Sequence, residues 1–145
     1  MESYIELIDS RAVMPHRHSR GDVGYDLTLV SRKEVDADIW GSNIQVYGTG
    51  IKLLPATAGF YWEVVPRSSM AKTPYIMPHS VGIIDREYTG EILVVLRKID
   101  LERDDLTLPI RLCQLVARNY LEVNFVEKTI YIPSFRGSGG FGSSS

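Results

Sequence analysis

Short stretches of alternating apolar and polar residues run along this chain, separated by frequent turn signals. Tyr25 to Val30 (YDLTLV) is the plainest: Tyr25, Leu27 and Leu29 fall on one face, as in a half-buried strand. Tyr4 to Ile8 alternates more loosely and is also read as a strand, followed by a polar segment from Asp9 to Asp22. The stretch SRKEVDADIWGSN is read as loop; Ser31 and Glu34 satisfy a capping box formally, but Gly41 closes any helix within about two turns. Ile44 to Tyr47 and Ile51 to Leu54 predict two strands around a Gly48-Thr49-Gly50 turn. Phe60 to Val65 (FYWEVV) is aromatic and β-branched and ends at Pro66, which suits a strand end. Ser68 to Thr73 predicts one helical turn, Gly82 to Asp85 and Glu91 to Leu96 a hairpin, and LERDDLTLP a solvated turn. From Ile110 to Ile132, 23 residues pass without Gly or Pro. Leu112, Leu115, Val116, Tyr120 and Val123 nearly trace a helical face, while Cys113, Leu115, Ala117, Leu121, Val123 and Phe125 fit period two. The local pattern leaves that segment open.

Composition narrows the picture. The chain has 145 residues, 44% hydrophobic and 23% charged, the profile of one ordinary globular domain that can bury a core without disulfides. Its 12 Gly and 7 Pro leave little room for a helical bundle, and four of those Gly fall in the last ten residues. No aliphatic run exceeds Ile92 to Leu96, far short of the ~20 residues that span a bilayer. MESYIELIDS lacks the basic and apolar regions of a secretory signal, Cys113 is the lone cysteine, and no N-x-S/T site occurs. An intracellular protein (cytoplasm or nucleus), free of membrane, is the expectation. A net charge of −2 argues against stable nucleic-acid binding.

Several segments offer chemistry, each beside a plainer reading. The terminal RGSGGFGSSS matches GxGxxG formally, yet no helix follows, so it is not a dinucleotide fingerprint. Such a backbone can still approach a phosphate closely, with Arg136 adding charge; alone, it reads first as a disordered tail. Arg67-Ser68-Ser69 sets a guanidinium and hydroxyls at one turn, suited to anionic oxygens or simply to a capped turn. Asp85 follows two aliphatic residues, so its carboxylate would leave an apolar wall, partly desolvated, as a general base requires. Tyr88 offers a flat face for a sugar or base; the plain alternative is a charged hairpin with a packed aromatic. His16, His18 and His79 show no metal-ligand spacing and are read as solvated. Arg20-Gly21-Asp22 is taken as coincidence, and Cys113 as an inert core thiol.

In order, these segments resemble the five motifs of the trimeric deoxyuridine triphosphate nucleotidohydrolases (dUTPases). They are Gly24-Tyr25-Asp26-Leu27; Pro66 to Ala71; Gly82 through Asp85 and Tyr88 to Gly90-Glu91; Arg111-Leu112-Cys113-Gln114-Leu115; and Arg136 to Ser144. The resemblance implies an all-β, jelly-roll-like β-barrel over residues 1–132 (a β-clip fold), with Ile110 to Ile132 as strand. It also implies a glycine-rich tail, residues 133–145, closing over a neighbouring subunit's site in a homotrimer with C-terminal exchange. Motifs one, two and four would come from one subunit, the third from a second and the fifth from the third subunit. The implied reaction is hydrolysis of dUTP to dUMP and pyrophosphate by water attack on the α-phosphorus, limiting uracil in DNA and supplying dUMP for thymidylate synthesis.

By that resemblance Asp85 would orient and deprotonate the water, and Gln114 would help position it or a phosphate oxygen. Arg67, Ser68, Ser69 and Arg136 would hold phosphate oxygens. Backbone near Gly82 and Ile84 would read the uracil edge, and Tyr88 would lie against the deoxyribose. Gly140, Phe141, Gly142 and Ser143 would close over the substrate, Phe141 stacking on uracil. Asp26 would reach Mg²⁺ through water. Departures stand at Ser69-Met70 for Gly-Leu, Glu87 for a second Asp, Pro109-Ile110 for Gly-Asp, and a Ser143-Ser144-Ser145 ending. The alternatives are a dCTP deaminase of the same fold, which shares an RSS-type second motif, and a catalytically silent dUTPase-fold binding protein.

Overall fold

A computed structural model describes residues 2–54, 59–129 and 133. Two antiparallel sheets pack face to face. The first contains β1 (Ile5–Leu7), β4 (Ile44–Leu53), β8 (Glu91–Lys98) and β6 (Tyr75–Ile76) in that order, with β3 (Ser31–Lys33) also paired to β4. The second runs β2 (Tyr25–Leu29), β9 (Ile110–Asn119), β5 (Phe60–Pro66), β7 (Gly82–Ile84). This is the all-β, jelly-roll-like architecture expected of the sequence. The core fills the space between the sheets: Leu27, Leu29, Val64, Leu112 and Leu115 face Tyr47, Ile51, Ile92, Val94 and Leu96. Fully burying each such aliphatic contributes roughly 1.5–3 kcal/mol.

Strand β8 alternates strictly, with Ile92, Val94, Leu96 and Lys98 inward. The alternation carries a lysine into the core edge, and the following loop answers it. Lys98 Nζ donates to Asp105 Oδ1 at 2.7 Å, and Gln45 Nε2 and Arg32 donate to the same carboxylate. The hydroxyls of Tyr47 and Tyr75 both reach Gln45 Oε1. The segment LERDDLTLP is therefore not merely a solvated turn; Asp105 closes one end of the core.

Four further sequence expectations are corrected. Ile44 to Leu53 is one strand, not two around a turn. Its register against β8 shifts between Gly48 and Lys52, Gly50 takes a φ of 71°, and the Thr49 hydroxyl donates to the Ile92 carbonyl, so the glycines make a bulge inside the sheet. SRKEVDADIWGSN contains β3 and a one-turn helix, α1 (Ala37–Trp40), capped by Asp36 rather than Ser31 and closed by Gly41 as expected. β7 and β8 do not form a hairpin, because β7 pairs with β5 and β8 with β4 and β6. Strand β9 stops at Asn119, and residues 120–129 carry no strand. Among the described residues no strand neighbours them, so their backbone has no ladder to join there. The expected helical turn is present as a 3₁₀ turn, Ser68–Lys72.

Candidate active site

The second sheet ties three distant segments into one corner. Asp26 on β2 lies opposite Gln114 on β9, and Val65 on β5 lies opposite Gln114 from the other side. β5 ends at Pro66, and Arg67 then folds back over β9. Its N–H donates to the Leu112 carbonyl at 2.7 Å, and its guanidinium donates to the Arg111 carbonyl at 2.9 Å. The Arg67 Nε reaches Asp26 Oδ1 at 3.0 Å. Asp26 itself is only 6% exposed, so this carboxylate is held by a guanidinium rather than by bulk water. Gln114 Nε2 donates to the Pro66 carbonyl, and Gly24 makes its position possible: a Cβ there would lie 1.9 Å from Gln114 Oε1.

Beside this corner opens a cleft of about 690 Å³, lined in part by His16, Arg67, Ser69 and Arg111. It combines two guanidiniums, a neutral hydroxyl and Thr28, a set that suits a polyanion. The Ser69 Oγ is buried without a hydrogen-bond partner among the described residues. The Ser69 departure therefore adds an unsatisfied hydroxyl beside the cleft rather than closing it. Ser68 stands exposed next to it. Arg111, without the acidic neighbour its motif commonly has, instead donates toward His16 Nε2 at 3.2 Å.

A second cleft, of about 370 Å³, lies where β7 and β8 part to join different sheets. A true hairpin would leave no such space. Gly82, Ile83, Ile84, Asp85 and Tyr88 line it on one side and Ile92 to Val95 on the other. β7 ends its sheet, so one edge of its backbone pairs with β5 and the other faces away with polar groups to offer. The Tyr88 ring crosses Gly90, its hydroxyl donating to the Glu91 carbonyl at 2.8 Å, and the Tyr88 N–H closes a turn onto Asp85. Asp85 is exposed within one chain, which differs from the partly desolvated base read from the sequence. The apolar wall it leaves is present; a lid over it is not among the described residues.

The predicted residues thus assemble as two groups. Asp26, Arg67, Ser68, Ser69 and Gln114 sit at the first corner; Gly82, Ile84, Asp85 and Tyr88 sit at the second. The two clefts share no lining residue. Arg136, Gly140, Phe141, Gly142 and Ser143 lie outside the described residues. Cys113 is buried, and burial pushes its thiol up to about 12, consistent with an inert core residue. His16 and His18, read from the sequence as solvated, are half-buried and exposed respectively, and both lie beside Asp26. A backbone bridge from His16 to Asp26 docks their loop on β2, and His18 Nε2 lies 3.0 Å from Asp26 Oδ2.

Comparison with known proteins bears on the family and the fold. A dUTPase family model matches residues 10–145. A deoxyuridine 5'-triphosphate nucleotidohydrolase of Clostridium acetobutylicum is 34% identical over 142 residues, covering 96% of this chain and 93% of that protein. One from Rickettsia bellii is 34% identical over 134 residues, covering 90% and 85%. Among solved structures, the Staphylococcus bacteriophage 80alpha dUTPase with dUPNHPP superposes with a TM-score of 0.67 at 22% identity, over 99% of this chain and 98% of that one. The Streptococcus mutans dUTPase gives 0.60 at 23% identity, over 83% and 98%. With the family model spanning nearly the whole chain and relatives above 30% identity along most of their length, the protein belongs to the dUTPase family.

Proposed function

We propose that the chain hydrolyses dUTP to dUMP and pyrophosphate. The observation that carries the reading is the cleft opened by the parting of β7 and β8, with Asp85 and Tyr88 at its lip. Its volume suits a nucleoside, and the free edge of β7 offers the alternating N–H and C=O groups that a uracil edge can pair with. Tyr88 presents a ring to the sugar and leaves little room for a 2′-hydroxyl. Relatives crystallised with a dUTP analogue support the choice of substrate.

In the reaction, Asp85 accepts a proton from water as the water oxygen attacks the α-phosphorus in line. The bond from that phosphorus to the bridging oxygen breaks, and the electron pair leaves on pyrophosphate. Arg67, the Ser68 and Ser69 hydroxyls and Gln114 hold phosphate oxygens, stabilising the charge that builds there. Gln114 also helps position the water or a phosphate oxygen. Arg136 and the glycine-rich residues 133–145, which lie outside the described residues save for Pro133, would on this reading close the site, with Phe141 on the base and Gly140, Gly142 and Ser143 around the phosphates. Asp26, a buried carboxylate with one oxygen on Arg67, fits the single water-mediated contact that a phosphate-borne Mg²⁺ needs. Held through Asp26, Mg²⁺ would supply positive charge against the triphosphate.

The site is complete only in a homotrimer on this reading. Residues 121–126 support it: Leu121, Val123, Phe125 and Val126 are 88%, 67%, 98% and 82% exposed, a surface that an isolated chain does not bury. No described helix is long and apolar enough to cross a membrane. The single buried thiol suits a reducing, intracellular compartment.

Mg²⁺-dependent pyrophosphate release from dUTP, measured against dTTP, dCTP and UTP, tests the assignment. Selective release from dUTP is expected, with Asp85→Asn retaining nucleotide binding and losing turnover by about 10² or more. Ammonia from dCTP with no pyrophosphate from dUTP would instead identify a deaminase.

A further inference from the structure

We propose that His16, His18 and Asp26 form a binding site for a first-row transition-metal dication, filled without any nucleotide. One nitrogen from each imidazole and one carboxylate oxygen lie within 4.8 Å of one another. Carboxylate and imidazole together suit Zn²⁺, Co²⁺ or Ni²⁺, whereas a hard ion such as Mg²⁺ gains little from the nitrogens. The carboxylate is shared with the substrate's magnesium subsite; the two imidazoles are the addition.

The local chemistry fits a metal in three respects. Asp26 is buried, and its Oδ1 is already committed to Arg67, so Oδ2 is the oxygen left to ligate. His18 Nε2 stands 3.0 Å from that Oδ2, close to the ~2.9–3.0 Å that separates adjacent ligands at roughly a right angle around a metal with bonds of about 2.0–2.1 Å. A metal there replaces the proton between nitrogen and oxygen, with little movement of either. His16 Nε2 faces an arginine, which can only donate, so that nitrogen presents its lone pair. The two rings meet edge to face, centroids 5.3 Å apart, and do not stack.

The nearby guanidiniums oppose a dication, and the structure limits their effect. Arg67 is held away from Oδ2 by its bonds to Oδ1 and to the Arg111 carbonyl. Arg111 is exposed and can release His16 to solvent at small cost. The backbone scaffold is already set: the Asp26 N–H donates to the His16 carbonyl at 2.8 Å, fixing the loop on β2 before any ion arrives.

Titrating metal-free, nucleotide-free protein with Co²⁺, followed by visible absorption and calorimetry, tests the site. One equivalent per chain is expected, with ligand-field bands that persist in excess Mg²⁺. His16→Gln and His18→Gln should each weaken binding about tenfold or more while circular dichroism stays that of the parent. His79→Gln, which removes the remaining histidine, should leave the titration unchanged. Binding that survives both the His16 and His18 substitutions, that follows His79, or that Mg²⁺ displaces would overturn the proposal. The readout is independent of hydrolysis, so an inactive protein that still binds Co²⁺ would refute only the enzymatic reading.

Discussion

Gly24 and Gln114 show how much one missing methyl group can decide. The amide of Gln114 occupies the place a Cβ on residue 24 would need, so glycine is required by close approach. Because the side chain in the way is flexible, Gly24→Ala should fold normally, with a midpoint of thermal unfolding near that of the parent. It should still lose dUTP turnover by about tenfold or more, as Gln114 is pushed from its contact with the Pro66 carbonyl. A variant with parental turnover would show that Gln114 does not need this position. The same logic of neighbouring atoms explains Tyr88, whose ring rests against Gly90, where a Cβ would come within 2.5 Å of its hydroxyl oxygen.

At the scale of elements, the polar end of β8 carries a pH dependence. The Lys98 ammonium, followed by Gln45, holds the Asp105 carboxyl well below the ordinary value of 3.8. A carboxyl depressed by folding stabilises the native state above its unfolded pKa, and that contribution is lost as pH falls from about 4 through the lower folded value. Asp105→Asn should therefore destabilise the protein near neutral pH by about 1 kcal/mol, the side chain being half exposed to water, and should flatten the acid limb of a stability-against-pH curve. Urea unfolding at several pH values measures both. An unchanged acid limb would sink the assignment. Such a cluster was hidden from the sequence, where LERDDLTLP looks like any charged turn; only the inward register of Lys98 gives Asp105 its role. The strands at Tyr25 to Leu29, read from alternation, and Phe60 to Pro66, read from aromatic and β-branched content, were legible, although Asp26 and Thr28 are buried as well, so the first is not half-buried. What was not legible was pairing. Local pattern cannot tell a hairpin from two strands that part to different sheets, nor a glycine turn from a bulge, because both depend on partners distant in the chain.

For the whole molecule, the exposed apolar residues after Asn119 are the feature an isolated chain does not account for. Replacing Leu121, Val123 and Phe125 by Ser removes side chains that touch little within the chain, so the fold should survive. On the proposed homotrimer, light scattering coupled to size exclusion should then report a shift from three chains toward one, with dUTP turnover falling in step. A triple variant that stays fully associated would place the interface elsewhere. The separation of the two clefts has a further, genetic consequence. On the proposed homotrimer, with phosphate-holding residues supplied by one subunit and Asp85 by another, a chain defective only at Asp85 would spoil its neighbour's site while its own phosphate corner remained usable. Two alleles with different lesions, one at each corner, would rescue each other: in a random mixture of equal amounts, about one site in four draws both halves from intact sources. Dominance and complementation in this protein would then follow from the division of one site between two groups of side chains that line separate clefts.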